Sequence, residues 1–179
     1  MSIFFITSNK GKFDEAKKIV PELEMLDLDL PEEQEVDQQK IIESKLEAAS
    51  KKHFGALVVE DTGFYLDCLP GLPGPLIKWF LKTIGRKGLY EICKRFENYR
   101  ATGITIVGLQ DQKGDKYFFK GEVSGNVVLE RGEDGFGWDP VFIPEGEEQT
   151  FAEMSREEKN EISMRRKAFE ELRKFLDTK

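Results

Sequence analysis

The sequence predicts an α/β fold built on one mixed sheet, and three stretches carry that prediction. A short apolar run, Ser2–Thr7, is followed by a polar turn, Ser8–Lys12, and then by apolar residues at helical spacing. Leu57–Gly63 predicts a buried strand that ends in adjacent carboxylates at an edge of the sheet, where ligands of open α/β sheets tend to bind. Arg100–Leu109 and Lys116–Val128 predict two antiparallel strands joined by a turn.

The length and charge of the chain limit its architecture and its partners. At 179 residues it is expected to form one domain, which can be divided into two lobes. The net charge of −7 disfavours a sequence-independent nucleic-acid binder, because neutralising phosphates requires clustered positive charge. The first apolar run is too short for a signal peptide, and no stretch reaches the ~18 apolar residues of a membrane span. We therefore expect a soluble cytoplasmic protein without a stable nucleic-acid or membrane partner.

The cysteines and the histidine exclude several kinds of site. Cys68 and Cys93 match neither zinc nor redox spacing and are expected to be buried, reduced thiols. His53 is the one histidine in the sequence, which excludes a multi-histidine metal site. Its position at the end of a predicted helix favours a C-terminal capping role over catalysis.

The turn after the first strand is a candidate phosphate site. The start of a helix exposes unpaired N–H groups that attract anions, and Lys10 and Lys12 add positive charge there. The alternative is a helix capped by Ser8 or Asn9 with solvated lysines, because the P-loop pattern is missing.

A second passage from strand to helix follows. Glu24–Leu30 alternates apolar and polar residues, which predicts a strand buried on one face, and Pro31 ends it. The next helix is predicted from about Lys40 to Lys52. Glu32 lies between the two elements, where it either reaches a metal or belongs to a solvated acidic loop.

The acidic pair Glu60 and Asp61 is the sharpest chemical signal within a single predicted strand. The functional interpretation is that the strand delivers carboxylates to a cleft; the structural one is that Asp61 caps a turn. Beyond it, Gly71–Pro75 predicts a rigid turn, and Pro75–Lys82 predicts a helix with proline in its first turn. A break at Gly85 and Gly88 precedes a second short helix, Leu89–Phe96. 

The last third of the sequence combines an aromatic loop with a terminal helix. In Gly132–Pro140, glycine allows close approach of a ligand and exposed aromatics offer a stacking face for a base; a turn packed on the core is the alternative. Ser155–Glu158 is a capping box, and an apolar stripe extends the helix after it to Leu176. Lys159 and Arg165 on this helix are spaced to reach a cleft from two sides.

Together, these pieces resemble the inosine triphosphate pyrophosphatases, which hydrolyse deaminated purine nucleoside triphosphates. The resemblance covers nearly the whole chain. It rests on Thr7–Lys12, Glu60–Gly63, Gly71–Pro75 with Ile77–Phe80, Phe136–Pro140, Thr150–Met154 and Glu158–Asn160.

This resemblance implies a fold, a cofactor and a site. The fold is an elongated α/β architecture, with a twisted mixed sheet flanked by helices in two lobes and a nucleotide cleft between them. The resemblance also implies a homodimer and a requirement for Mg²⁺. By correspondence, Thr7, Asn9 and Lys12 hold the triphosphate; Glu32 and Asp61 bind the metal; Asp61 is the catalytic acid; and Lys45, Thr62, Phe136, Gly137, Trp138, Asp139, Lys159 and Arg165 contact the substrate.

The implied reaction is attack of water on the α-phosphorus, with pyrophosphate leaving as a unit. An Arg165 donor suits the 6-carbonyl of inosine or xanthosine and is left unpaired by the 6-amino group of adenosine. The sequence departs from the family pattern at Met164, where relatives usually carry histidine, and this puts selectivity or turnover in doubt. The rival hypotheses are a relative that acts on modified pyrimidine triphosphates and a catalytically impaired nucleotide-binding protein.

Overall fold

The strands and helices are described here from a computed structural model that covers residues 2–133 and 136–179. Two residues of the predicted aromatic loop, Asp134 and Gly135, lie outside this described part. The elements are β1 (Ile3–Ile6), α1 (Lys10–Ile19), β2 (Leu23–Leu26), α2 (Gln38–Ser50), β3 (Ala56–Leu66), β4 (Pro73–Gly74), α3 (Ile77–Thr83), α4 (Gly85–Arg95), β5 (Arg100–Gln110), β6 (Lys116–Val127), β7 (Phe142–Pro144), α5 (Arg156–Ile162) and α6 (Met164–Asp177).

One mixed sheet joins all of these strands, which confirms the predicted fold class. The strand order is β2-β1-β3-β5-β6-β7, and β4 pairs with β3 outside this path. β1 lies parallel to β2 and to β3. β5 lies antiparallel to β3, and β5 and β6 form the predicted hairpin. The N-terminal strand–helix unit therefore supplies the parallel half of the sheet, and the hairpin supplies the antiparallel half.

β3 leaves an opening on one side of the sheet. Its pairing with β1 reaches only Val58, and its pairing with β4 begins at Phe64. Between these points, residues 59–63 have β5 on one side and no described strand on the other. Since Glu60 and Asp61 lie within this interval, the backbone at the acidic pair has no described strand along one edge.

The core consists of three clusters of buried side chains, and β3 contributes to each. α1 and α6 cover one region around Phe5 and Phe169. α2 packs Ile42 and Leu46 against another region. Near the far end of β3, Phe64 packs with aromatic and aliphatic residues from α4, β5 and the segment before β7. β3 is thus held by packing along its whole length.

The predicted helical ends differ from the observed ones in informative ways. The predicted terminal helix is two helices, because Ser163 adopts an extended conformation between α5 and α6 and caps α6 through the N–H of Arg166. α4 begins at Gly85 and continues through Gly88, so the predicted break is confined to the junction with α3. Pro75 precedes α3 rather than lying in its first turn.

Other predicted elements agree with the structure apart from their ends. β2 is shorter than Glu24–Leu30, because β1, its partner, ends at Ile6 opposite Leu26. The N–H of His53 donates to the carbonyl of Ala49, which closes the end of α2. The capping box of α5 is present. Across the described residues, no helix is both long and apolar enough to cross a membrane.

Candidate active site

Two neighbouring carboxylates, Glu60 and Asp61, lie on the stretch of β3 between its pairings with β1 and β4. Because successive side chains of a strand point to opposite faces, Glu60 and Asp61 meet different elements. Asp61 contacts Lys45 on α2, whereas Glu60 contacts Lys12 on α1 and Arg165 on α6. The site therefore has two connected halves on either side of one strand.

The Asp61 half contains one paired and one unpaired carboxylate oxygen. Lys45 Nζ lies 3.0 Å from Asp61 Oδ1 and also donates to the carbonyl of Glu60 at 3.1 Å. Asp61 Oδ2 is buried and has no hydrogen-bond partner within the described chain. A buried carboxylate oxygen without a donor is costly unless a ligand satisfies it. Asp61 Oδ2 is therefore the atom best placed to accept a proton or to bind a cation.

A hydrogen-bond network holds the strand beneath Asp61. Gln38 Nε2 donates to the carbonyls of Asp61 at 2.8 Å and Ile104 at 3.1 Å. Tyr65 donates its hydroxyl proton to Gln38 Oε1 at 3.1 Å. Burial, assisted by the charge of Asp61, raises the pKa of Tyr65 to about 12, so the hydroxyl remains a donor at neutral pH. The sequence interpretation did not identify Gln38 or Tyr65.

The Glu60 half is a buried network of ion pairs. Glu60 Oε1 lies 2.8 Å from Lys12 Nζ, and Glu60 accepts Arg165 Nε at 2.7 Å and Nη2 at 3.2 Å. Burial alone would raise the pKa of Glu60, but Arg165 and Lys12 outweigh it and lower the pKa to about 2. Glu60 is therefore a carboxylate at any working pH and fixes the two cations.

Arg165 has a second acidic partner that the sequence interpretation missed. Its Nη1 donates to Glu15 at 3.1 Å, and Ser163 donates to the other oxygen of Glu15 at 2.7 Å. A guanidinium has five N–H donors, and the contacts to Glu60 and Glu15 occupy three of them. Two donors remain, so the predicted role of Arg165 toward a purine carbonyl stays a prediction that the geometry permits.

A cavity lies next to the Glu15 end of the network. It has a volume of ≈ 400 Å³ between α1 and α5 and is lined by Asp14, Glu15, Lys17, Lys18, Arg156, Glu157 and Asn160. The lining residues carry both signs of charge. The guanidinium of Arg156 lies against Gly11 of α1. A Cβ added to Gly11 would lie only 2.5 Å from Arg156 Nη2. This end of the site therefore has space beside Glu15, one of the two acidic partners of Arg165.

The predicted phosphate turn lies at the start of α1. Asn9 accepts the N–H of Lys12 at 3.1 Å and caps the helix, and Thr7 accepts the N–H of Asn9 at 3.1 Å. The first turn contains no acidic side chain. The capping alternative is thus confirmed for Asn9, but Lys12 is not merely solvated, since it pairs with Glu60. The side chains of Thr7 and Asn9 thus fix the conformation of the turn. The N–H groups and lysines of this turn favour the binding of an anion.

Glu32 lies in the segment between β2 and α2 and has its own basic partner. Its carboxylate pairs at 3.0 Å with Lys78 of α3, and both side chains are largely exposed. The hydrogen bond and charge of Lys78 lower the pKa of Glu32, and Lys45 and Lys12 add to this effect. Glu32 therefore shares the electrostatic environment of the cleft. Lys78 is a further cation that the sequence interpretation did not assign to the site.

The aromatic loop divides into exposed and buried members. Phe136 is 82% exposed, whereas Trp138 is 7% exposed and stacks on Phe64 with centroids 4.3 Å apart. The packed alternative therefore describes Trp138, and Phe136 is the ring available to a ligand. Arg86 Nε donates a hydrogen bond to the carbonyl oxygen of Gly137 at 2.7 Å. The buried carboxylate of Asp139 forms an ion pair with Lys159.

Two further predicted positions have structural partners. Thr62 Oγ1 lies 2.7 Å from Thr105 Oγ1 on β5, which ties the two strands together next to Asp61. Met164 is 4% exposed and belongs to the same buried cluster as Trp138. A Cβ on Gly103 would lie 2.8 Å from Trp138 and 3.4 Å from the sulfur of Met164, so glycine is needed beneath both. Met164 thus fills the core with an apolar group.

The oxygen ligands suit a magnesium ion that is shared with a substrate. Over residues 2–133 and 136–179, no group of three or more His, Cys, Asp or Glu side chains is arranged to hold a metal. Asp61 Oδ2 is unpartnered, and Glu32 is a second carboxylate in the same electrostatic environment. Mg²⁺ is commonly bound by one or two carboxylates, with water and substrate phosphates completing the shell. The donor set fits that pattern better than a permanent all-protein site.

Comparisons with known proteins show the family and agree with the fold. The model of the Ham1 family matches residues 3–175. A dITP/XTP pyrophosphatase of Methanopyrus kandleri is 41% identical over 95% of this chain and 93% of its own length. An inosine triphosphate pyrophosphatase of Yarrowia lipolytica is 42% identical over 100% of this chain and 97% of its own length. The solved Ham1 protein of Staphylococcus aureus, at 26% identity, aligns with a TM-score of 0.83 over 99% of both chains.

Proposed function

The chain belongs to the Ham1 family, and we propose that it hydrolyses deaminated purine nucleoside triphosphates to monophosphate and pyrophosphate. The substrates are ITP, dITP and XTP, which the enzyme removes from the nucleotide pool. The names of its relatives support the substrate class. The structural observation that carries the proposal is the buried, unpartnered oxygen of Asp61 beside Lys45.

In the proposed reaction, Asp61 accepts the proton of the attacking water. The water oxygen bonds to the α-phosphorus, the bond from that phosphorus to the bridging oxygen breaks, and pyrophosphate leaves. Asp61 Oδ2 is the free acceptor, and Lys45 holds the other oxygen in place. Lys12, at the start of α1, offsets the charge of the triphosphate together with the N–H groups of Lys10 and Gly11 in the first turn of the helix.

We propose that Glu32 and Asp61 hold Mg²⁺ together with the substrate phosphates; Asp61 would do so through the attacking water, because its Oδ2 accepts that water's proton and Lys45 occupies its Oδ1. When bound, the ion supplies charge neutralisation and lowers the pKa of a coordinated water. Lys78 then has to share or release Glu32, because the two side chains pair at 3.0 Å. Of the two proposed metal-binding residues, Asp61 is held in place by β3, whereas Glu32 lies in the segment between β2 and α2.

Base recognition is assigned to the opposite half of the site. We propose that Arg165 donates one of its two remaining N–H groups to the 6-carbonyl of the base, which adenine lacks. The exposed ring of Phe136 stacks on the base, and Gly137, Trp138, Asp139 and Lys159 shape that end of the pocket. Thr62 is proposed to contact the substrate beside Asp61. Its hydroxyl is within hydrogen-bonding distance of Thr105.

The proposal extends to the assembly and its location. We propose a single domain, residues 1–179, with two lobes around the cleft, which pairs as a homodimer in the cytoplasm, where nucleotides are made. Large apolar side chains exposed on and beside α3 and α4 support a protein contact there, namely Trp79, Ile84 and Phe96. Light scattering of the purified protein tests the dimer: a monomer at all concentrations would contradict it.

A panel of nucleotides tests the function. The purified protein is incubated with Mg²⁺ and ITP, XTP, GTP or ATP, and pyrophosphate and orthophosphate are measured separately. We expect pyrophosphate from ITP and XTP at a rate at least about tenfold above that from ATP. Equal rates for ITP and ATP would refute the selectivity, and orthophosphate as the main product would refute the bond that is broken.

Asp61→Asn is the matching variant, and Asp115→Asn is its control, because Asp115 is exposed and lies in the turn between β5 and β6. We expect Asp61→Asn to lower kcat by at least about 100-fold through loss of the proton acceptor. Wild-type turnover by a folded Asp61→Asn protein would overturn the assignment of Asp61.

A further inference from the structure

Glu60 contacts both the cation assigned to the phosphates, Lys12, and the cation assigned to the base, Arg165. Its Oε1 lies 2.8 Å from Lys12 Nζ and 3.2 Å from Arg165 Nη2, and its Oε2 lies 2.7 Å from Arg165 Nε. One oxygen is therefore shared between a cation of α1 and a cation of α6. The contact joins the start of α1 to the start of α6 through the middle of β3.

The two cations depend on Glu60 to different degrees. Within the described chain, Glu60 is the acid that forms an ion pair with Lys12, whereas Arg165 also pairs with Glu15. The side chain of Glu60 is 3% exposed, that of Arg165 15% and that of Lys12 32%. Water can therefore replace part of the interaction at Lys12 but little of it at Arg165. Removing the charge of Glu60 frees Lys12 and leaves Arg165 without the fork that sets its orientation.

We propose that Glu60 is a positioning residue that sets base selectivity through Arg165 and restrains Lys12 from the polyphosphate. The inference rests on the proposed function, since it takes Lys12 as a phosphate contact and Arg165 as the base donor. When a polyphosphate attracts Lys12, Lys12 no longer shares Glu60 Oε1. Both oxygens of the Glu60 carboxylate are then available to Arg165. Glu60 thereby links occupation of the phosphate end to the orientation of the base donor.

Two substitutions separate the charge of Glu60 from its reach. Glu60→Gln keeps the shape and removes the charge, whereas Glu60→Asp keeps the charge on a side chain one methylene shorter. Glu22→Gln is the matched control, because Glu22 is a half-exposed acid whose ion-pair partner, Arg173, is not one of the site residues. Folding of each variant is checked by circular dichroism and thermal unfolding.

The readouts are the ratio of kcat/KM for ITP to that for ATP, and the Kd for inorganic pyrophosphate with Mg²⁺. Glu60→Gln is expected to lower the selectivity ratio by at least about tenfold and to tighten pyrophosphate binding by about threefold, because Lys12 loses a competing anion. Glu60→Asp is expected to keep pyrophosphate binding within about twofold of the wild type while the selectivity ratio falls. Glu22→Gln is expected to change neither.

Several outcomes would overturn the inference. A role in the fold alone would lower kcat/KM for both nucleotides equally and leave the ratio unchanged. Failure of both Glu60 variants to fold would likewise restrict Glu60 to a structural role. If the wild type hydrolyses ITP and ATP equally, the proposed function fails instead, and the pyrophosphate measurement still decides whether Glu60 restrains Lys12: unchanged binding by Glu60→Gln would contradict it.

Discussion

At the residue scale, the contact between Lys45 and Asp61 is the one on which the proposed chemistry depends. Lys45 Nζ holds Asp61 Oδ1 at 3.0 Å, which leaves Oδ2 for the water or the cation. Lys45→Met keeps the length of the side chain and removes the charge, so we expect kcat/KM for ITP to fall by about 100-fold. The measurement is steady-state pyrophosphate release.

Lys40→Met is the matched control for this prediction. Lys40 lies on the same helix, but its side chain is 63% exposed and its acidic partner, Glu35, is 4.0 Å away. It is expected to retain wild-type activity. A loss of less than about threefold in folded Lys45→Met would mean that Asp61 does not need this support.

Glu60 also gives a pH-dependent contribution to folding stability. Burial opposes its charge, but Arg165 and Lys12 lower its pKa from the ordinary 4.5 to about 2 in the folded protein. The unfolded chain therefore takes up the proton at higher pH. The stabilisation is complete above pH 4.5 and is lost as the pH falls toward 2.

Urea unfolding of the wild type and Glu60→Gln measures this contribution. The difference in the free energy of unfolding is expected to be largest near neutral pH and to shrink progressively below pH 4.5. A difference that does not change with pH would show that the folded and unfolded pKa values of Glu60 are the same.

Residue positions could be predicted only where the signal is local. Asp61 and Lys12 stand in short motifs whose neighbours reveal a strand end or a helix start. Glu15 could not be found in this way, because its partner Ser163 is 148 positions away in the sequence. Lys78 was missed for the same reason, since Glu32 lies 46 positions before it.

At the element scale, the break between α5 and α6 illustrates what local pattern cannot supply. The apolar stripe of the terminal helix is real, but the chain turns at Ser163, which caps α6 and donates to buried Glu15. The capping box at Ser155 was visible in the sequence because both of its partners lie within four residues. The cap at Ser163 is equally local, since its hydroxyl accepts the N–H of Arg166, but its contact with Glu15 involves a helix from the other end of the chain.

This difference predicts unequal costs for two similar substitutions. Ser155→Ala removes one helix cap and is expected to lower the free energy of unfolding by about 1 kcal/mol. Ser163→Ala removes a cap and also a hydrogen bond to a buried carboxylate, so we expect a loss of about 2 to 3 kcal/mol. Chemical denaturation of both variants checks this. Equal losses would indicate that the Glu15 contact contributes nothing.

At the scale of the whole molecule, the metal is expected to serve the reaction rather than the fold. In the described chain, no set of three acidic, histidine or cysteine side chains could hold an ion by itself. We therefore expect EDTA to abolish turnover and added Mg²⁺ to restore it, while the midpoint of thermal unfolding stays within about 2 °C. Activity and circular dichroism are measured on the same samples. A large fall in the unfolding midpoint with EDTA would point to a structural ion instead.

The architecture was largely predictable, because alternation and helical spacing are properties of the sequence itself. The mixed sheet followed from a strand–helix start and a long hairpin, and both are present. The opening between β1 and β4 was not predictable. It depends on where two pairings of β3 stop, at Val58 and Phe64, and those limits arise from contacts between distant segments.

The position of β3 in all three clusters of the core bears on the order in which the molecule opens. A strand that contributes to all three clusters cannot separate without disrupting them, so the amide hydrogens that pair it with β5 exchange with solvent mainly through global unfolding. The acid that carries the proposed chemistry thus lies on the most persistent part of the backbone, and a thermally stressed enzyme keeps Asp61 in register until the fold is lost.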